Sequence, residues 1–275
     1  MEKRIDDLKE ALNQPKQIDE ILNEQLDAAM RQHNRSNQDL FLSAISAGLE
    51  IGFSVFLMAS LFSLFKGEIH PSMLHILLAL AYPLGFIFVV IGKSELFTEH
   101  TTLAVIPVLN RNASLKSLGI LWGIIYVGNL LGGFIFSFIL KLIGSDLGII
   151  EDEAFYELAQ KLIAHPWYII LGSGILAGWL MGLLSWLVTS SQETMSRIVL
   201  VTLITSVIGI GGLHHAIVGS IEVFTASITS PDVDWKDYLN VQSWATLGNI
   251  IGGTVFVAFI KFSHVNPRNF QLGEQ

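Results

Sequence analysis

The sequence predicts an all-α membrane protein: six transmembrane helices in two inverted three-helix repeats, with helices 2 and 5 broken. Three observations carry this prediction. First, long apolar runs recur along the 275-residue chain, which is 51% hydrophobic and 15% charged, with a mean hydropathy of +0.55. A helix needs about 20 such residues to cross ~30 Å of hydrocarbon. Second, small-residue patterns recur in the two halves. "AGLEIG" (47–52) pairs with "AGWLMG" (177–182), and "GNLLGG" (128–133) pairs with "GNIIGG" (248–253). Each GN motif is followed at the same offset by a Phe, Phe136 or Phe256. Third, two of the runs are too long for one crossing and break at polar or glycine-rich points, near 93–100 and 211–220.

The elements follow in order. Residues 1–37 are polar, but Ile5, Leu8 and Leu12, then Ile18, Ile21, Leu22 and Leu26, keep helical spacing on either side of Pro15. They predict an amphipathic helical segment, beside the membrane or packed on the chain's own cytoplasmic face. Spans are predicted over 40–65, 72–108, 117–143, 166–189, 196–229 and 239–262, within a transmembrane domain of 38–265 and ahead of a cytoplasmic tail, 266–275. Lys and Arg set the orientation. The N-terminal segment, Arg111 and Lys116, Arg197, and Lys261 and Arg268 mark one side. The alternate loops are acidic (Asp146, Glu151, Asp152, Glu153 and Glu157; Asp232, Asp234 and Asp237). Both termini are therefore expected in the cytoplasm. "IIEDEAFYELAQKLIA" (149–164) reads as a short amphipathic helix on the outer face.

Several classes are set aside. The chain has no Cys, which excludes disulfide and thiol chemistry. The charged N-terminus, with its first apolar run near Leu40, shows no cleavable signal. No dense basic patch suggests nucleic acid. No nucleophile–base set or metal-ligand spacing suggests an enzyme, a catalytic residue, a cofactor or a metal.

Three spans per half make the second half enter from the opposite side. Paired broken helices in such a repeat point to a path near the midplane, because backbone leaves the helix in a bilayer only where protein or water satisfies it. Gly92 to Gly128 and Gly212 to Gly248 are equally spaced, which puts Glu95 opposite His215. Asn129 and Asn249 can hydrogen-bond across helices, and the small residues allow close helix approach.

These motifs resemble the formate/nitrite transporter family. "ELFT" (95–98) matches the loop that breaks its second helix, "GLHH" (212–215) resembles its Gly-aromatic-Glu-His motif in the broken fifth helix, and the two GN motifs resemble its third and sixth helices. The resemblance covers roughly 38–265. It implies an aquaporin-like protomer with its own pore, assembled as a homopentamer in the lipid bilayer of the cell membrane. The family passes small monovalent anions such as formate, nitrite, hydrosulfide or lactate. By motif match the central pore histidine is His215 and the loop threonine is Thr98. Leu96 and Phe97 border the pore, and Phe86 and Ile208 fall near the constrictions. Lys161 corresponds to a basic residue of the outer vestibule.

The sequence also departs from the family. His214 replaces the Glu before the central histidine, Gly219 replaces an Asn, and Ser94 and Lys93 replace small residues. Glu50, Glu99, His100 and Glu222 add charge at the breaks and inside the spans. A charge in the bilayer calls for a partner, so Lys93 is expected to pair with Glu50 or Glu222. Glu95 is expected to accept backbone or His hydrogen bonds. The leading expectation is a channel or proton-coupled transporter for small monovalent anions. The alternatives are a channel of altered selectivity, for a neutral or cationic solute, and a non-conducting membrane scaffold.

Overall fold

A computed structural model describes residues 16–144 and 146–259, with backbone alone for 256–259. The expectations placed on residues 1–15, the side chain of Phe256, Lys261, Arg268 and the tail lie outside the described residues. Every described element is helical: α1 (Ile18–Asn34), α2 (Asn37–Phe65), α3 (Pro71–Ala81), α4 (Pro83–Gly92), α5 (Phe97–Leu103), α6 (Ile106–Leu109), α7 (Leu115–Ile143), α8 (Asp152–Ile163), α9 (Trp167–Ser190), α10 (Thr194–Ile210), α11 (Ala216–Thr229) and α12 (Trp235–Ile251). The chain continues from α12 as a π-helix, Gly252–Phe259. Among the described residues, four helices are long and apolar enough to cross a membrane: α2, α3 with α4 (Pro71–Gly92), α7 and α9. α10 and α11 are shorter and also apolar.

α1 and α8 mark opposite faces. α1 buries the stripe Ile21, Leu22, Leu26 and Ala29. Its Lys16 flank donates to the Thr189 carbonyl at 2.8 Å, and Gln25 donates to Ser185 Oγ at 3.4 Å. α2 begins beside α1, with Ser36 Oγ capping the Asp39 amide at 3.1 Å. Near the far end of α2, Ser63 Oγ accepts from the Glu151 amide at the start of α8 (2.9 Å). α8 is amphipathic, and Ala154, Phe155, Leu158, Ala159 and Leu162 face inward. On that face Lys66 pairs with Glu153, and the hydrogen bond to Glu153 holds the Lys66 ammonium above its ordinary range.

The small-residue motifs explain the packing. α2 lies against α7, and α9 against α12. A Cβ on Gly48 would collide with the Asn129 carbonyl, and one on Gly178 with the Asn249 carbonyl. Gly132 meets the Ile45 carbonyl as Gly252 meets that of Ile175. Lipid tails are as apolar as Leu, so van der Waals contact holds such helices together, and it strengthens as backbones approach.

Candidate functional site

The chain leaves the helix twice within its apolar body, and both breaks use the same geometry. After α4, Lys93 turns left-handed (φ 59) and the Ser94 amide donates back to the Val89 carbonyl at 3.1 Å. After α10, Gly212 turns left-handed (φ 57) and the Leu213 amide donates to the Ile208 carbonyl at 3.0 Å. This six-to-one bond is a Schellman closure, which satisfies a carbonyl the helix end leaves free. Three residues later each chain re-enters a helix, at Phe97 and at Ala216.

One asparagine secures each extended segment. Asn129 Oδ1 accepts from the Phe97 amide, and its Nδ2 donates to the Glu95 and Ala44 carbonyls, all at 2.8 Å. Asn249 Oδ1 accepts from the Ala216 amide at 2.8 Å, and its Nδ2 donates to the His214 carbonyl at 2.9 Å and the Gly174 carbonyl at 2.8 Å. These bonds correct the expected register. Glu95 is equivalent to His214, and His215 is equivalent to Leu96. The left-handed residues set the alignment: Gly92 is still helical, whereas Gly212 is itself the turn residue, equivalent to Lys93.

The breaks meet at their re-entry points. Thr98 Oγ1 lies 2.8 Å from His215 Nε2, and both side chains are buried. His215 Nδ1 accepts from the Ile217 and Val218 amides, each at 3.3 Å. Nδ1 therefore carries no proton, and a neutral ring carries its proton on Nε2, facing Thr98. The Thr98 hydroxyl oxygen accepts the hydrogen bond from that N–H and keeps its own proton free to donate. Phe86 stands edge-on to the His215 ring at 5.1 Å, and Tyr82 stacks on Phe86 at 5.4 Å. Leu96 and Ile208 are fully buried.

A cavity lies on each side of this pair. On the α8 face, about 70 Å³ is lined by Lys161, Glu222, Tyr82, Ile208 and His75, among others. On the α1 face, about 160 Å³ is lined by Lys93, Glu95, Glu99, His100 and Gln32 of α1, among others. Leu96 and Glu99 also line a smaller pocket deeper on that side.

Other expected site residues lie elsewhere. The Phe97 ring packs on Trp122 and Tyr126 of α7, at 6.2 and 4.9 Å. Both His214 nitrogens are engaged, with Ser173 Oγ at 2.9 Å and the Leu162 carbonyl at 3.0 Å, so His214 braces the second break. Lys93 forms no ion pair among the described residues, which corrects the expected pairing. It is exposed on the α1 side, whereas Glu222 lines the opposite cavity. Glu50 instead accepts from Ser46 and Ser94, both at 2.8 Å. Glu95 accepts from Arg35 at 3.0 Å and pairs with His100 at 2.5 Å. Sequence reasoning missed Arg35 and Tyr82. Tyr82 was findable, because it precedes the helix-interrupting Pro83 on the same run as Phe86.

Comparison with known proteins finds relatives in sequence and in fold. The formate/nitrite transporter family model matches residues 19–263. Inner membrane protein YfdC of Escherichia coli (strain K12) is 31% identical over 242 residues, 86% of this chain and 74% of that protein. A solved FNT family ion channel has a TM-score of 0.81 at 21% identity, covering 90% of this chain and 99% of that one. A pentameric formate channel with formate bound has a TM-score of 0.71 at 24% identity, covering 83% and 97%. Both structures share the fold of this chain. An all-α membrane protein whose sequence fits the family model over nearly its whole length, this chain belongs to the formate/nitrite transporter family.

Proposed function

We propose that this protein is a channel or proton-coupled transporter for small monovalent anions, with the Thr98–His215 pair at the centre of its path. It acts as a transporter rather than an enzyme, without cofactor. The observation that carries this reading is the 2.8 Å contact between two buried polar side chains, at the meeting point of two broken helices with a cavity on either side. The matching bonds at the two breaks support six spans in two inverted repeats. The basic loops support both termini in the cytoplasm, which makes the α1 face the inner one. The pentameric formate channel shares the fold, and a homopentamer in the cell membrane is the assembly proposed here.

The chemistry is consistent. A bare anion meets a steep dehydration cost at Phe86, Ile208 and Leu96, and a neutral weak acid meets far less. At the centre, the Thr98 hydroxyl is a buried hydrogen-bond donor that an anion can take up, held in place by the His215 N–H. The positive end of the α11 dipole points at the same place. A second reading, a channel of altered selectivity for a neutral or cationic solute, is favoured by Glu99 and Glu222. These carboxylates line the two cavities without an ion pair or a hydrogen bond among the described residues.

Proteoliposomes test the choice. Formate or nitrite uptake above that of empty vesicles is expected, and in salt gradients the flux should be either anion-selective, read as a reversal potential, or electroneutral, read as uptake without current. No uptake of either anion rejects the reading, and a cation-selective potential favours the second.

A further inference from the structure

Glu222 is the buried carboxylate that the proposed path leaves unexplained. It lies in α11, seven residues beyond His215, and is only 8% exposed. Among the described residues it has no hydrogen bond and no ion pair, yet it lines the α8-side cavity. An unpartnered carboxylate in an apolar body needs a compensating function, because burial without a partner costs several kcal/mol. Its surroundings suggest one. Lys161 and Gly212 stand exposed at the cavity mouth, whereas Tyr82, Ile208 and Glu222 are buried at its floor. Tyr82 stacks on Phe86, and Phe86 meets His215. Glu222 thus sits between the basic mouth and the apolar ring that guards the central pair.

We propose that Glu222 is the proton-exchange site of this outer vestibule. The proposal rests on the anion-transport reading above. Lys161 draws a monovalent anion of a weak acid into the cavity. Glu222, in its acid form, gives its proton to the anion, leaving the Glu222 carboxylate and a neutral acid. The neutral acid passes Phe86 and Ile208, and bulk water on the α8 side re-protonates Glu222. Export runs the same steps in reverse. Charge balances at each step, and one proton moves with each anion.

The other titratable groups around Glu222 do not fit this role. Lys161 on α8 is the attracting charge. His75 on α3 is tied through Nε2 to the Ile210 carbonyl at 2.8 Å. The Tyr82 phenol is too weak an acid to give up a proton near neutral pH. Tyr238 on α12 is bonded to Ser220 at 2.9 Å. Glu99 and His100 of α5 line the cavity on the other side of the central pair, and Glu50 of α2 is bonded to Ser94 on that side.

The test uses purified full-length protein in vesicles loaded with a pH dye, with formate as the probe, and compares wild type, Glu222→Gln and Glu222→Asp. Gln keeps the shape and removes the exchangeable proton. At an outer pH of about 7.5, Glu222→Gln should lower formate-coupled proton entry at least about tenfold, a smaller loss than the ~10²–10⁴-fold that removal of an acid–base group costs a chemical step. At about pH 5.5 the bulk supplies more neutral acid and the deficit should shrink severalfold, since formic acid titrates in the carboxylate range. Glu222→Asp should restore part of the rate and of the pH profile. Size-exclusion profiles check that each variant is folded. A Glu222→Gln protein with the wild-type rate and pH profile overturns the proposal. So does an equal loss at every pH, which would mark a structural role, or a gain in rate, which would mark simple cancellation of the Lys161 charge. Wild-type protein that carries no formate at all instead rejects the anion-transport reading, and this inference with it.

Discussion

At the first break, Asn129 holds the backbone on either side of Leu96; at the second, Asn249 holds it on either side of His215. The closing bonds, the left-handed turn and the asparagine bonds correspond residue by residue. The side chains they present differ. The first break is charged and tethered: Glu95 binds both His100 and Arg35, which follows α1. The second is neutral and self-contained, with His214 fixed by Ser173 and the Leu162 carbonyl. A shared frame therefore carries unlike chemistry. The first half supplies a hydroxyl, the second an imidazole, and the two frames hold them 2.8 Å apart.

The largest effect expected from breaking this comparison is at the asparagines. Asn129→Ala takes their asparagine partner from the Phe97 amide and the Glu95 carbonyl and removes the second bond of the helical Ala44 carbonyl, and Asn249→Ala does the same at Ala216, His214 and Gly174. Each orphaned buried group costs about 1–3 kcal/mol, so each variant should lose roughly 3 kcal/mol or more of stability. Thermal unfolding of the detergent-solubilised protein should show similar losses. A large loss at one asparagine and none at the other would show that the frames are not equivalent.

A smaller effect separates the two turns. Lys93 adopts a left-handed conformation that costs a side-chain-bearing residue about 1–2 kcal/mol, and Gly212 adopts it freely. Lys93→Gly should stabilise the protein by about 1 kcal/mol, and Gly212→Ala should destabilise it by a similar amount. Melting temperatures that move in the same direction for both would contradict the shared turn.

The frame was legible in the sequence because it is built from small residues and asparagines at fixed spacing. Gly48, Gly178, Asn129 and Asn249 have few substitutes where backbones touch. The register at the breaks was misread by one residue, because a glycine spacing does not reveal which residue turns left-handed, and Lys93 hides one such position. The motifs picked out Thr98 and His215, and the structure brings them within 2.8 Å. The ion pairs were not. Arg35 reaches Glu95 across 60 residues of sequence, and no local pattern marks that contact. Lys93 and Glu222 looked like partners only because the sequence does not show that they face opposite cavities.

Formate flux through the central pair tests the account most directly. Thr98→Val removes the hydroxyl with little change in shape, and His215→Ala removes the ring. A hydrogen bond to a charged group is worth about 1.5–3 kcal/mol, so each variant, shown to be folded, should carry formate into proteoliposomes about tenfold more slowly than wild type, or slower still. Wild-type flux in either folded variant would contradict the claim that permeation runs through Thr98 and His215.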